Sequence, residues 1–164
     1  MNIRPEHHSD CDSIHRLLIA AFADHPHSQH NEQTIVAVLR AANALAVSLV
    51  ADDDGIVGYI ACSPVSINGS TGKWFGLGPV AVQPDRQGKS IGAALVRASI
   101  EQLKSANAEG IVLLGEPHYY QRFGFAARPE LQLSGVPASH FLALVLHGPI
   151  AQGVVTYHPA FDSE

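Results

Sequence analysis

One short segment of the chain has the residue types and spacing of an anion-binding loop. It is Gln87-Gly-Lys-Ser-Ile-Gly92, and it directly precedes a run with apolar residues at helical spacing. Amides in the first turn of a helix have no partner within the helix, and the helix dipole is positive at that end. Gly88 and Gly92 also allow a ligand to approach the backbone closely. The segment predicts a pyrophosphate cradle, although the glycines alone favour a plain strand-to-helix turn.

Two other phosphate-binding patterns fail on their context. The run Gln87-Gly-Lys-Ser90 ends like a Walker A motif, but Gln83 stands where that motif requires a glycine. The run Gly76-Leu-Gly-Pro-Val-Ala81 matches a dinucleotide fingerprint, which must open a helix directly after a strand. Here β-prone residues follow and Pro84 stops any helix, so neither kind of nucleotide site is predicted.

The charge distribution narrows the class of ligand. The chain has a net charge of −5, which excludes a general binder of nucleic acid or anionic membranes. Between Arg86 and Arg128, however, six basic residues accompany only three acidic ones. A basic stretch inside an acidic chain indicates a small anionic ligand. We therefore expect no nucleic-acid partner and no membrane partner.

The elements that must position the loop alternate between helix and strand. Asp54-Gly55 between two β-rich runs predicts a hairpin, and Asn68-Gly69 marks a second turn. The next strand, from Lys73 to Val82, is interrupted by glycine and proline at residues 76–79, which indicates a bulge or a splayed segment. A helix from about Ser90 to Ser105 follows. This order predicts an α/β (α+β) fold with a mixed, mostly antiparallel sheet and helices on both faces.

Length and composition predict one compact unit. The 164 residues are 46% hydrophobic and 15% charged, which fits a single domain over residues 1–164 with one sizeable core. Two cysteines, Cys11 and Cys62, make no disulfide framework and indicate a reducing compartment. The N-terminus has no apolar run of signal-peptide length, and no run reaches the ~20 residues that span a bilayer. The expectation is a cytoplasmic protein.

Three sequence runs around the loop together resemble a known family. They are Gly78-Pro-Val-Ala-Val-Gln-Pro84, Ala93-Ala-Leu-Val-Arg97 and Tyr119-Tyr-Gln-Arg-Phe-Gly-Phe125. The combination resembles the GNAT superfamily of acetyl-CoA-dependent N-acetyltransferases, whose loop reads Gln/Arg-x-x-Gly-x-Gly/Ala after a strand ending in Val-x-Pro. Ser90 here replaces the usual middle glycine.

A longer run resembles one subgroup of that superfamily, the predicted bacterial N-acetyltransferases. These carry Leu-Gly-(acidic)-Pro-x-Tyr-Tyr-x-Arg-Phe-Gly-Phe, and this chain reads Leu114-Gly-Glu-Pro-His-Tyr-Tyr-Gln-Arg-Phe-Gly-Phe125. The terminal run Tyr157-His-Pro-Ala-Phe161 also looks like that subgroup.

The resemblance implies a GNAT fold, with a sheet of about six to seven strands and a splayed central strand. It also implies acetyl-CoA as co-substrate and no metal. The family's splayed strand pairs with the pantetheine arm through its backbone, and one of its amides faces the thioester oxygen. The cofactor-binding residues implied are Val80, Ala81 and Val82 on the strand, and Gln87, Gly88, Lys89, Ser90, Ile91, Gly92 and Ala93 in the loop.

The resemblance also implies a general acid. The family's acid is a tyrosine four residues before the glycine of its Gly-Phe pair, which here is Tyr120. The ordinary pKa of a thiol is ~8.5 and that of tyrosine is ~10, so the transfer of a proton to a departing thiolate is feasible. Tyr119 is expected to be a half-buried aromatic. For the general base, Glu32, Glu116 and His118 are candidates, and a water relay is the default.

The histidines at positions 25, 27 and 30 are a weaker signal. No cysteine or carboxylate at helical ligand spacing supports a metal site there, so the stretch is interpreted as a solvated polar loop. In the family this region borders the acceptor site, so these side chains could touch substrate.

The expected function is direct transfer of an acetyl group from acetyl-CoA to a primary amine of a small molecule or peptide. The alternatives are a non-catalytic acyl-CoA sensor, whose signature would be loss of Tyr120, and an interaction domain with a vestigial pocket. Homodimerisation is left open.

Overall fold

The computed structural model describes residues 1–164 as nine strands and four α-helices joined by turns and short 3-10 helices. The elements, in chain order, are β1 Asn2–Pro5, α1 Cys11–Phe22, α2 Glu32–Ala41, β2 Val47–Asp52, β3 Ile56–Ile67, β4 Ser70–Val82, α3 Ile91–Ser105, β5 Gly110–Leu114, α4 Pro117–Tyr120, β6 Ala126–Ala127, β7 Leu131–Gln132, β8 Phe141–Val145 and β9 Gly153–Thr156.

The sheet has the order β1-β2-β3-β4-β5-β8-β6, and β9 pairs with β3 and β7. Only the β4–β5 and β7–β9 pairs are parallel. The predicted mixed, mostly antiparallel fold is therefore confirmed. The sheet has nine strands rather than the six to seven expected. Strands such as β6, two residues long, are too short to show an alternating pattern in the sequence.

Helices cover both faces of the sheet, as the sequence predicts. On one face α3 packs Leu95 and Leu103 against strand residues such as Ile60 and Ile111. On the other, α1 and α2 pack Ile14 and Val36 among others against Tyr59 and Ala61. We call these the α3 face and the α1–α2 face. The burial of both sides explains why β3 is a nearly continuous buried run.

A third cluster extends the α1–α2 face along the sheet. It contains Trp74 of β4, Val112 of β5 and Phe141 of β8, and Val112 lies between two residues that point to the α3 face. Segments after β6 cover it, among them residues 157–163, which we call the C-terminal strap. The strap packs Ala160 against α2, and Asn31 Nδ2 donates a hydrogen bond of 2.7 Å to the Ser163 carbonyl.

β4 separates from β5 part-way along its length. The two strands pair only from Trp74 to Gly76, although β4 continues along β3 to Val82 and β5 continues along β8 to Leu114. The register of the β3–β4 pair shifts opposite Gly78 and Pro79, where β4 bulges. The splayed central strand predicted from residues 76–79 is therefore confirmed. We call the resulting gap the wedge.

None of the four helices has the length and apolarity needed to cross a membrane.

Candidate active site

The loop between β4 and α3 presents a row of free amides. The first backbone hydrogen bond of α3 runs from Ala94 N to Ser90 O at 3.1 Å, and no side chain caps the helix. The amides from residue 88 to residue 93 therefore have no protein acceptor. Gly88 has φ of +79° and empty space where a Cβ would stand. Free amides at the positive end of a 15-residue helix are suited to a pyrophosphate.

Ser90 adopts the conformation that the family's usual glycine would adopt easily. Its φ is +65° and its ψ is 14°, in the left-handed region. A residue with a Cβ is strained there by about 1–2 kcal/mol. The serine keeps the backbone path of the loop and stores that strain. Gly92 is less restricted, since an added Cβ would be in ordinary contact with Val82 at 3.7 Å.

The three strand residues expected to contact a cofactor lie on the free edge of β4. Val80 and Val82 point to the α3 face, and Ala81 is buried on the α1–α2 face. On the side away from β3, the β4 backbone from Leu77 to Val82 has no strand partner. Gln87 links the loop to the end of β4, because its Nε2 donates a 3.2 Å hydrogen bond to the Val82 carbonyl. Packed side chains and an open backbone edge thus coexist here, as β-augmentation requires.

Tyr120 closes the α3 face near the end of β5. Its ring lies against Gly115, where a Cβ would be 2.5 Å from Cε2, and it makes an edge contact with Phe125 at 6.1 Å between centroids. Gly115 is needed for this approach. Burial, and secondarily Tyr119, raises the pKa of Tyr120 to about 12. The phenol therefore stays protonated throughout the neutral range.

Tyr119 lies closer to the loop and the first turn of α3 than the sequence suggests. An added Cβ on Gly92 would be 3.8 Å from the Tyr119 hydroxyl, so that hydroxyl lies beside the first turn of α3. The ring stacks edge-on against Tyr120 with centroids 4.9 Å apart. The sequence predicts only a half-buried aromatic at Tyr119, because the approach of its hydroxyl to Gly92 joins two segments that are distant along the chain.

Half of the six basic residues between Arg86 and Arg128 are free of carboxylates. Lys89 is exposed, Arg97 lies 4.9 Å from the Phe123 ring centroid, and Arg122 lies 4.3 Å from that of Tyr119. The ammonium group of Lys89 and the two guanidinium groups are therefore available to bind phosphates. The others pair with acids: Arg86 with Asp53, Lys104 with Glu101, and Arg128 with Glu130.

Two of the three candidate bases have side-chain partners. Glu116 stands at the start of α4 without capping it, and its carboxylate lies 3.7 Å from His140 Nε2. Glu32 Oε2 accepts a 2.7 Å hydrogen bond from Ser28 at the start of α2, whereas Glu32 Oε1 is buried without a partner. His118 is exposed. These contacts assign no general base.

The histidine-rich stretch forms the loop expected between α1 and α2. The His25 and His27 rings are 6.2 Å apart and exposed. No group of three or more His, Cys, Asp or Glu side chains is arranged to hold a metal ion. Cys62 is fully buried, and burial raises the pKa of its thiol to about 12, so it is an inert core residue.

Comparison with known proteins gives a consistent result. Residues 2–128 match the family model described as an acetyltransferase (GNAT) domain. The chain is 33% identical to the uncharacterised N-acetyltransferase YhbS of Escherichia coli K12, with 99% of each chain covered. A GNAT acetyltransferase of Brucella melitensis, solved in complex with acetyl-CoA, superposes with a TM-score of 0.89 at 45% identity, covering 98% of this chain and 97% of that one. The Escherichia coli YhbS structure with CoA gives 0.88 at 31% identity, covering 98% and 91%.

The chain therefore belongs to the GNAT acetyltransferase family, and it is an N-acetyltransferase. The fold that the loop and tyrosine motifs imply is the fold of these relatives.

Proposed function

We propose that this single domain, residues 1–164, transfers an acetyl group from acetyl-CoA directly to a primary amine of a small molecule or peptide. The free amides of residues 88–93, beside a strand edge without a partner, are the observation that carries the proposal. The relatives solved with acetyl-CoA or CoA support the same co-substrate. The full run from Leu114 to Phe125 supports placing the chain in the bacterial subgroup that shares this motif.

The residues fit the chemistry of acetyl-CoA. The pyrophosphate would lie against the amides of Gly88 to Ala93, where Gly88 leaves open space. The Val80–Val82 backbone would pair with the amides of the pantetheine arm. The exposed charges of Lys89, Arg97 and Arg122 would meet the remaining phosphate. When bound, acetyl-CoA supplies the thioester whose carbonyl carbon the amine attacks and whose C–S bond breaks.

The chain's own residues then stabilise the developing charge and transfer protons. A free backbone amide of β4 donates to the carbonyl oxygen as negative charge develops there. The Tyr120 hydroxyl gives its proton to the departing sulfur and is reprotonated from water. The amine nitrogen forms the new C–N bond and loses one proton to water. The products are an acetamide and the free thiol of CoA, so atoms and charge balance.

Tyr120 as general acid distinguishes the enzyme from a sensor. Its raised pKa of about 12 keeps the donor form fully populated at neutral pH. A sensor with the same cradle would have no use for a protonated phenol at this position. The cytoplasm is the compartment we propose, because both Cys11 and Cys62 are free thiols.

Calorimetry with acetyl-CoA, followed by thiol release in the presence of an amine panel, tests this function. Binding of acetyl-CoA with amine-dependent thiol release is the expected result. Binding without release for every amine would support the sensor. An unchanged melting temperature at a large excess of CoA would contradict both.

A further inference from the structure

Two buried hydroxyls on the α1–α2 face have no hydrogen-bond partner. Ser63 is 1% exposed and its Oγ is unpaired, and the Tyr157 hydroxyl is likewise buried and unpaired. A buried polar group without a partner reduces stability, so native proteins keep few of them. Each such group calls for an explanation, and a ligand is one.

The strand register brings both hydroxyls to the closed end of the wedge. Ser63 of β3 is paired with Gly76 of β4, and Gly76 is the last β4 residue paired with β5, opposite Val112. Residues paired in this way point to the same face of a sheet. A Cβ on Gly76 would be 3.4 Å from both Cε2 and Cζ of Tyr157. The carbon that carries the Tyr157 hydroxyl therefore lies over the point where the strands separate, next to Ser63.

These hydroxyls and Tyr120 lie on opposite faces. Tyr120 packs with Leu113 and Phe125 on the α3 face, whereas Val112 belongs to the cluster on the α1–α2 face. At the wedge, Ser63 and Tyr157 therefore lie on the α1–α2 face, and the proposed general acid lies on the α3 face. That is the arrangement an amine attacking from behind the thioester needs.

The same face continues into apolar surface. Leu114, two residues beyond Val112, is 51% exposed at the end of β5, and it is paired with Phe141. Phe141 also lines a cavity of about 560 Å³, together with Leu131, Leu133 and Val136. The body of a ligand whose polar end lies at Ser63 would extend over this surface.

We propose that Ser63 Oγ and the Tyr157 hydroxyl bind the amino group of the acceptor as a neutral amine, and that the acceptor is a primary amine on an aliphatic or aromatic body. A neutral primary amine has two N–H bonds and one lone pair. The two hydroxyl oxygens accept hydrogen bonds from the two N–H groups, which leaves the nitrogen lone pair free to attack the thioester carbonyl carbon. The proposal rests on the acetyltransferase function above and names its substrate class.

The test compares unpaired hydroxyls with paired ones. The variants are Tyr157→Phe and Ser63→Ala, and the matched controls are Tyr59→Phe and Ser99→Ala. Both control residues are buried and have partners: Tyr59 bonds Ser48 at 2.7 Å, and Ser99 donates to the Leu95 carbonyl at 3.0 Å. Each protein is assayed for melting temperature, for CoA affinity, and for thiol release with hexylamine, 2-phenylethylamine and spermidine.

In the wild type, hexylamine and 2-phenylethylamine should be acetylated with higher kcat/KM than spermidine. Tyr157→Phe and Ser63→Ala should each raise the amine KM about tenfold, the effect of one lost hydrogen bond, with kcat and CoA affinity little changed. Their melting temperatures without ligand should stay level or rise, because an unpaired polar group has been removed. The controls should leave the amine KM unchanged, and Tyr59→Phe should lower the melting temperature.

Two results overturn the proposal. One is a Tyr157→Phe variant that loses stability as Tyr59→Phe does while its amine KM stays at the wild-type value, since the hydroxyl would then be structural. The other is a wild type that binds CoA and acetylates spermidine but neither apolar amine, which would leave the acetyltransferase function standing and remove this substrate class. Absence of CoA binding would instead count against the function itself.

Discussion

The two faces of the wedge are built from different kinds of chain segment. On the α3 face, the proposed cofactor site uses two continuous stretches, residues 76–93 and 117–125. On the α1–α2 face, the hydroxyl pair and its apolar surround come from β3, β5, the chain around β8 and the C-terminal strap. A continuous stretch keeps its geometry through local backbone bonds, whereas separate segments meet only through tertiary packing. The proposed cofactor site is therefore local in the sequence, and the proposed acceptor site is free to change without it.

The largest effect should come from Tyr120, the proposed general acid on the α3 face. Tyr120→Phe keeps the ring and its contact with Gly115 but removes the proton. Turnover should fall by ~10²–10⁴, the usual range for general acid catalysis, with CoA affinity unchanged. Steady-state kinetics and calorimetry on the same preparation measure both quantities.

Tyr119→Phe is the neighbouring comparison for that variant. Its hydroxyl lies beside Gly92, so we expect weaker CoA binding with nearly unchanged kcat. Equal losses of kcat in the two variants would mean that neither hydroxyl acts alone as the acid.

The pH profile sharpens the assignment of Tyr120. Burial raises its pKa to about 12, so the fraction able to donate a proton stays near one until the pH approaches that value. We expect kcat at saturating amine to show no alkaline decline between pH 7 and about 10. A decline centred near pH 8, absent from Tyr120→Phe, would show that the phenol titrates much lower in the complex.

The second largest effect should come from the loop. Gly88→Val places a β-branched residue at φ of +79°, where the added strain and the filled cradle both oppose binding. CoA affinity should fall by tenfold or more, because a free loop that relaxes out of the strained conformation must recover ~1–2 kcal/mol of strain on binding. Gly72→Val, at an exposed glycine with open space around it, is the matched control and should bind CoA normally. Retained affinity in Gly88→Val would exclude the amide cradle.

The contrast between continuous stretches and separate segments of the chain also explains what the sequence could predict. The Asp54-Gly55 turn, the break at residues 76–79 and the helix after Gly88 are all local signals, and the structure has each of them. The contact of Tyr119 with Gly92 was missed, because no short-range pattern encodes which side of α4 faces α3.

The sequence does not predict the hydroxyl pair either, because no short-range pattern encodes a contact between distant segments. Ser63 and Tyr157 are far apart in the sequence and meet only through strand register and the path of the strap. A lone serine in a β-rich run and a tyrosine near the terminus have no spacing that points to chemistry. Both hydroxyls are buried without a hydrogen-bond partner, as is Trp74 Nε1 of the same cluster, and that property exists only in the folded chain.

A smaller effect should follow from the exposed charges beside the loop. Raising the ionic strength from 0.01 to 1 M shortens the Debye length from ~30 Å to ~3 Å, so CoA affinity should decrease. Lys89→Ala, Arg97→Ala and Arg122→Ala should each weaken binding up to about fivefold at low salt, the range for exposed ion pairs. Lys104→Ala, at the far end of α3 and paired with Glu101, should not. Equal affinities at both salt concentrations would show that these charges do not contact phosphate.

The smallest effect concerns the one position where this loop departs from the family's pattern. Ser90 has φ of +65°, which costs a residue with a Cβ about 1–2 kcal/mol, whereas glycine there loses only its extra unfolded-state entropy of about 0.5–1 kcal/mol. Ser90→Gly should therefore raise the free energy of unfolding by roughly 0.5–1 kcal/mol and the melting temperature by ~1–4 °C. CoA affinity should be unchanged, because the amide at residue 90 is kept. Ser105→Gly, at the helical end of α3, is the matched control and should lower stability by about as much. If both variants lose stability alike, Ser90 is not held in the left-handed region, and the cradle must be formed by a different path of the loop.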